Sequence, residues 1–505
     1  MKDSKRLATT ILISGVGTLL SYLINFFLTP YISENVGIEA YGFVSIAKTA
    51  VSYAQIVMVA LTTFIVRFIA INYHKEDIER SKAYYSSSIV ACVTISTIIY
   101  VIAILVTFNL EKLLVIPDEL VHSVKILFLL AFLNFVFTTL VTPLNSGSYI
   151  KNRLDLNGIL KIISYLTESV CLIIIFSLIK PDVWIVGLGS VIASLVLVIG
   201  NYFLNRKLIP EIKFEKKLVS FQCVKDMISN GIWQSINSLG NVLNSGLDLI
   251  ISNLMLSAIE TGQIAVVKTI ALMFSTLYQV VGQPFQPRML KVYSKDDKNL
   301  FFVELKKAMK ICGYFSNVAF AGFVALGWSY FKLWLPNEDT NVLYILAIIT
   351  VFGSITEGIA QPMYYVNTLT LKKKFPCIVT VCGGVLNTLS MILLLNFTNI
   401  GVYSIVLTTA VIMTCINLIF SPTYCALSLK LNPLNIYKVI FRHILSVILM
   451  IIVFKFVAYI FIPNNWIALI IEAFIMAVLG LFVHVFIMTT KDEKRRIVNK
   501  IANKS

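Results

Sequence analysis

Apolar runs of roughly 20 residues or more follow one another along almost the whole chain, and few folds can accept that pattern. A helix needs about 20 apolar residues to cross a hydrocarbon core about 30 Å thick, whereas a barrel strand needs about ten with alternating polarity. An open sheet would leave backbone groups unpaired in lipid. The runs place about 14 spans, at 8–32, 42–72, 84–108, 122–148, 156–178, 183–204, 226–255, 262–290, 308–334, 342–367, 375–395, 401–428, 438–460 and 465–488. The expected fold is an all-α integral membrane protein. A composition of 58% hydrophobic and 13% charged residues, with a mean hydropathy of +0.84, excludes a soluble protein of 505 residues. The first run, after Met1 to Arg6, is longer than a signal-peptide core and lacks a clear small-residue cleavage site, so it is expected to stay as the first helix.

A net charge of +16 raises the question of nucleic acid, and the placement of the charge answers it. Lys and Arg gather in alternate short loops: Lys75, Arg80 and Lys82; Lys151 and Arg153; Arg206 to Lys217; Lys372 to Lys374; and the tail from Lys491 to Lys504. The intervening loops hold almost none. By the positive-inside rule both termini are cytoplasmic, as an even span count requires, and nucleic acid is not a partner. Trp184, Trp334 and Trp466 then fall at the outer interface, where an amphipathic ring is favoured. The eight cysteines lie mostly in apolar spans without CxxC or metal-ligand spacing, and are expected to be small apolar residues. No phosphate loop and no HExxH occurs, His74, His122, His443 and His484 are scattered without forming a cluster, and outer loops stay below about fifteen residues. A catalytic site and a metal site are therefore not expected.

Two stretches repeat at a constant offset of 220 positions. Gly42 to Asp77 and Gly262 to Asp297 each begin with Gly, carry Lys-Thr six residues on (Lys48-Thr49, Lys268-Thr269) and end in Tyr-x-Lys-acid-Asp. The offset extends upstream, where Ser14, Thr18, Ser21 and Asn25 form a stripe on one helical face and Gln234, Ser238, Asn241 and Ser245 take the equivalent positions. Pro143 with Lys151 to Arg153 is nearly matched by Pro362 with Lys372 to Lys374. The expected plan is two parallel six-helix lobes related by a pseudo-twofold axis along the membrane normal. They occupy 1–222, ending in an amphipathic linker helix over Ile212 to Phe221, and 223–430; two further helices and a basic tail fill 431–505.

Lysine inside an apolar span is costly in lipid. Lys48 shares a face with Ser52, Gln55 and Thr62, and Lys268 with Ser275, Gln279 and Gln286. Polar stripes on four helices should turn from lipid toward one another. Interhelical hydrogen bonding at about 0.6 kcal/mol per contact is the simple reading, but it needs no charge, so lysines on both halves favour a hydrophilic cavity. Asp248 and Lys268 lie at similar depth, roughly 9 Å from the outer end of adjacent helices, and are expected to neutralise each other. Leu28 stands at the position equivalent to Asp248, which leaves Lys48 the better candidate for an anionic ligand. Arg67 and Arg288 are expected to snorkel to the inner interface, meeting headgroups or forming a gate. Glu357, beside Gly358 and close to Gln361-Pro362, is the candidate for a coupling proton or sodium ion, with a paired structural carboxylate as its alternative.

The six plus six plus two plan, the Gly-led second and eighth helices and the unpaired final helix pair resemble the multidrug, oligosaccharidyl-lipid and polysaccharide exporter superfamily. Within it, the chain resembles the polysaccharide-transport branch, the Wzx-type flippases of lipid-linked oligosaccharides. The run Gly37-Ile38-Glu39-Ala40-Tyr41-Gly42 is similar to the branch's lG-x-x-x-yG pattern, and the resemblance covers essentially the whole chain. It implies a transporter of the bacterial cytoplasmic membrane, without a cofactor, that turns a polyprenyl-diphosphate oligosaccharide from the inner to the outer leaflet by alternating access. The cationic cavity would draw the diphosphate, Asn25, Gln55, Asn241 and Gln279 would meet sugar hydroxyls, and the final helix pair would accommodate the lipid tail. Implied partners are the lipid-linked oligosaccharide, membrane lipids, a polysaccharide polymerase and glycosyltransferases. Three alternatives differ in class. A multidrug cation antiporter of the same superfamily usually has twelve spans and an acidic or neutral pocket. A membrane polymerase or ligase needs a large outer loop, and a structural scaffold leaves the duplicated lysines without a purpose.

Overall fold

A computed structural model describes residues 2–293, 297–370, 372 and 374–489, and the regular elements among them are all helical. They fall into two compact units, Met1–Val266 and Val267–Ser505. The first holds α1 (Lys2–Asn35), α2 (Ile38–His74), α3 (Ile78–Phe108), α4 (Val121–Leu144), α5 (Ser146–Ile150), α6 (Leu154–Leu178), α7 (Trp184–Leu208), α8 (Phe221–Ser245), α9 (Leu247–Met255) and the start of α10 (Ala258–Gly282). The second holds the remainder of α10, α11 (Phe285–Tyr293), α12 (Lys298–Trp334), α13 (Thr340–Leu369), α14 (Lys374–Phe397), α15 (Tyr403–Cys415), α16 (Ser421–Ser428), α17 (Pro433–Ile460) and α18 (Trp466–Met488). Among the described residues, 13 helices are long and apolar enough to cross a membrane. The expected span at 226–255 is realised as two pieces, α8 and α9, meeting at Gly246. α8 is rich in Ser, Asn and Gln, so it falls short of a lipid-facing helix by composition.

The repeated residues have separate physical reasons. Each repeat ends in the N-cap of the next helix: Asp77 accepts from the Arg80 amide and Asp297 from the Leu300 amide, both at 3.0 Å. A side-chain oxygen there satisfies an amide that the helix cannot pair internally. Each repeat begins with a glycine, and in the first unit the two glycines meet. A Cβ on Gly42 would lie 3.0 Å from the Gly262 nitrogen, and one on Gly262 would lie 2.2 Å from the Ile38 carbonyl oxygen. Backbones this close leave no room for a side chain. Just before α2, Gly37 has φ 112°, in the left-handed region that glycine takes without strain, and the chain reverses there.

α2 is the spine of the first unit. α8 lies along it, Gly231 facing the Ala60 carbonyl and the Ser235 hydroxyl donating to the Ile56 carbonyl at 2.7 Å. α9 is fixed to the turn before α4 by Asn253, whose amide pairs with both the N–H and the C=O of Val115 at 2.9 and 3.0 Å. In the second unit α12 is central. A Cβ on Gly313 would lie 2.0 Å from the ring of His443 on α17, and one on Gly480 of α18 would lie 2.9 Å from Val318. Ala321, Leu326, Met450, Phe454 and Met476 form the core between them.

The linker after α7 corrects the sequence expectation. In place of an amphipathic helix over Ile212 to Phe221 there is a single 3-10 turn at Lys216–Leu218 within extended chain. Tertiary hydrogen bonds take the amides a helix would have used: Glu215 N–H donates to the Ser86 hydroxyl and Ser220 N–H to the Ser87 hydroxyl, both at 2.9 Å. Lys82 adds an ion pair to Glu215 at 2.7 Å. At the start of the linker the Tyr73 hydroxyl donates to Glu211 and accepts from Lys151 at 2.7 Å. Burial raises the Glu211 carboxyl, but the Tyr73 hydroxyl, a backbone hydrogen bond and Lys151 outweigh it and hold the group below its ordinary range. The same Tyr73 contact raises the Lys151 amine.

Two tests follow from this packing. Gly231→Ala places a methyl 1.9 Å from the Ala60 oxygen, so the helical gain of alanine is outweighed and purified protein should lose about 1–3 kcal/mol in thermal or denaturant unfolding. Gly322→Ala, with nothing within 4 Å of the added carbon, should leave stability unchanged or slightly raised. A carboxyl depressed in the folded state contributes stability above its unfolded pKa, and loses it as pH falls through the folded value. Glu211→Gln should therefore lower the melting temperature at pH 7 and have little effect at a pH below the carboxylate range. An equal effect at both pH values would assign Glu211 a packing role alone.

Candidate functional site

In the first unit the apolar residues Val16, Leu19, Leu23 and Phe27 are the exposed face of α1. At about 100° of rotation per residue, Thr18, Ser21 and Asn25 lie on the other side and turn inward. Ser14 belongs to the same stripe by spacing, but its side chain lies outside the described residues. The Asn25 amide donates to the Ser21 carbonyl at 2.8 Å, which aims its oxygen toward α2, where the Lys48 ammonium makes a long contact at 3.5 Å. Lys48 is exposed, and Ser52 donates to its carbonyl at 3.0 Å. Two residues picked from different spans are thus adjacent, and Gln55, also exposed, lies two turns along α2 from Lys48.

Asp248 is buried in the first unit. It is 4% exposed, in the first turn of α9, and α2 is its neighbour: Gly246 packs on Thr49 and Asp248 lies within electrostatic reach of Tyr53. Asn241, on α8, is exposed. Arg67 is exposed near the end of α2, its guanidinium 5.7 Å from the ring centroid of Phe64.

In the second unit Lys268 is half-buried and Gln279 is exposed, both on α10. Arg288, expected at the inner interface to meet headgroups or form a gate, binds the buried carboxylate of Glu304 at 2.8 Å while its own side chain stays exposed, and Lys307 binds the other oxygen at 2.9 Å. Glu357 on α13 accepts a hydrogen bond from the Ser275 hydroxyl of α10. Close by, the Tyr364 hydroxyl donates to Asn417 at 2.5 Å, and the Asn417 amide donates to Thr356 at 3.0 Å. Asn417 lies in a π-helical turn, Ile416–Phe420, between α15 and α16. Such a turn widens the backbone and is frequent at functional sites. The signal in the sequence was an amide residue amid apolar ones, five positions before Pro422.

The histidines also correct an expectation. His443 and His484 form a buried pair with ring centroids 5.5 Å apart, and His484 bridges Ser446 at 3.2 Å and the Lys310 carbonyl at 3.0 Å. Pro463, at the turn between α17 and α18, is 20 residues after one and 21 before the other, so the hairpin brings them level. Among the described residues no group of three or more His, Cys, Asp or Glu side chains is arranged to hold a metal ion, and the cysteines are free thiols.

Long helices crossing a membrane in this order, with polar and charged residues turned inward, define an all-helical membrane transporter fold. It is the fold of the exporter superfamily that contains the lipid II flippase MurJ and the MATE transporters. The chain belongs to the polysaccharide biosynthesis protein family, whose sequence model matches residues 7–292. It is 27% identical over 407 residues to the uncharacterized membrane protein EpsK of Bacillus subtilis (strain 168), covering 80% of each chain. The inward closed conformation of MurJ superposes with a TM-score of 0.68 at 14% identity, covering 94% of this chain and 98% of that one. An inward-facing MATE multidrug resistance transporter gives a TM-score of 0.58 at 12% identity, covering 84% and 94%. Similarity at this level of identity concerns the fold.

Proposed function

We propose that this protein is a flippase that carries a polyprenyl-diphosphate-linked oligosaccharide from the inner to the outer leaflet of the bacterial cytoplasmic membrane, by alternating access, for cell-surface polysaccharide assembly. Both termini lie in the cytoplasm in this reading, and a polysaccharide polymerase and glycosyltransferases act before and after it. The observation that carries it is Lys48, an exposed cation inside a membrane-spanning helix, 3.5 Å from Asn25 on an inward polar stripe. A diphosphate satisfies such a cation, the side-chain amides of Asn25, Gln55 and Asn241 suit sugar hydroxyls, and in the second unit Gln279 and Lys268 offer the same two chemistries. Membership of the polysaccharide biosynthesis family supports the substrate class, as does the fold shared with a protein described as a lipid II flippase. The MATE neighbours make a multidrug cation antiporter the second reading, which a basic site does not favour.

Lys48→Ala, in cells that depend on the protein, should cut surface polysaccharide at least tenfold with membrane abundance unchanged. Normal polysaccharide would sink the role of Lys48. Altered drug resistance in a deletion strain with intact surface glycans would point to the antiporter. Glu357, bound to Ser275 beside the Thr356, Asn417 and Tyr364 chain, is the site proposed for a coupling proton or sodium ion. Glu357→Gln should remove the dependence of flipping in proteoliposomes on an imposed proton or sodium gradient. A variant that still follows the gradient would leave Glu357 a structural carboxylate.

A further inference from the structure

A second cation of the first unit lies outside the repeated segments. On α6 the exposed apolar residues Ile159, Ile163, Leu166 and Val170 mark the lipid-facing side. At about 100° per residue, Lys161, Tyr165 and Glu168 are roughly half a turn away from that face. Contacts of the flanking positions agree with this placement. Gly158 and Ile162 pack on Ile13 and Gly17 of α1, while Ser164 donates to the Ala193 carbonyl of α7 at 2.8 Å and Glu168 accepts from Ser190 of α7 at 2.8 Å. Lys161 therefore looks into the corner between α1 and α7, and it is exposed there. A side chain turned away from lipid and still exposed borders open space inside the unit.

Depth sets its relation to Lys48. Lys161 is seven residues from the start of α6, about 10 Å along the axis, while Lys48 is ten residues from the start of α2, about 15 Å from the opposite end. Tyr31 and Phe176, with ring centroids 4.8 Å apart, bring the far end of α6 level with the turn that leads into α2. The two ammonium-bearing positions are thus staggered by roughly 10 Å along the membrane normal. The inward stripe of α1, carrying Thr18 and Ser21, spans the interval. Glu168 is two turns beyond Lys161 and engaged with Ser190, so it is not the partner of that lysine.

We infer that Lys161 is a headgroup-binding residue of the first unit, the cation that meets a lipid diphosphate nearer the cytoplasm before Lys48 does. This rests on the flippase reading and its orientation. Two cations at separate depths, with hydroxyl groups between them, lower the barrier to moving an anionic headgroup through a low-dielectric region, because the charge never lies far from a counter-charge.

The test uses full-length protein in phosphatidylcholine nanodiscs, which carry no competing anionic lipid, with radiolabelled farnesyl diphosphate as probe and farnesol as the uncharged control. Lys161→Ala and Lys161→Met should each raise the dissociation constant at least tenfold, and Lys161→Arg should stay within about threefold of wild type. Methionine keeps the apolar stem and removes the charge, so lost packing cannot account for a matching effect in both. If Lys161→Ala and Lys161→Met bind like wild type while Lys48→Ala is weakened, Lys161 is a snorkelling lysine and the flippase reading stands. If wild type binds farnesyl diphosphate no better than farnesol, the flippase reading and this role of Lys161 fail together.

Discussion

In hydrocarbon a backbone amide has no partner except within its own helix, and much of this structure follows from that one constraint. Helices are long because they must reach from one wet surface to the other. Where a helix is interrupted, the backbone still finds partners. At the α8 to α9 break the Gly246 amide donates to the Val242 carbonyl at 2.7 Å, and the loop before α4 finds its partner in the side-chain amide of Asn253. Outside the spans the same need acts with other means. The linker after α7 stays extended because hydroxyl groups of α3 meet its amides.

Helices that cannot rely on water to drive them together need close contact, and this chain achieves it through glycine. Gly42 with Gly262, Gly231 with Ala60 and Gly313 with His443 each replace a side chain by direct approach. The duplicated segment is thus a composite. Its glycine serves packing, its aspartate caps the next helix, and its lysine does neither.

Charge inside the spans divides along the same line. Glu304 holds Arg288 and Lys307, Glu357 holds Ser275, and Glu168 holds Ser190. Each arrangement lowers the cost of withdrawing a carboxylate from water, fully at Glu304 and in part at Glu357 and Glu168. Lys48 and Lys161 are different in kind, being exposed on inward faces. An exposed cation on such a face has the chemistry to receive an anion, and the proposed diphosphate substrate is one.

The span pattern, the helical class and the inward stripe of α1 were legible in the sequence, because hydrophobicity and the 3.6-residue period act within one segment and need no knowledge of neighbours. The adjacency of Lys48 and Asn25 followed from stripes on consecutive helices, which have little choice but to face each other. What the tertiary structure decided involves distant segments. Asp248 lies beside α2, Arg288 is bound by Glu304, His443 meets His484, and the linker is extended in place of helical. Each depends on which surfaces touch, a matter of shape and of hydrogen-bond partners supplied from elsewhere in the chain. Lys161 shows the boundary between the two. Its charge and helical position are plain in the sequence, but that it turns from lipid into open space between α1 and α7 is set by how three helices pack.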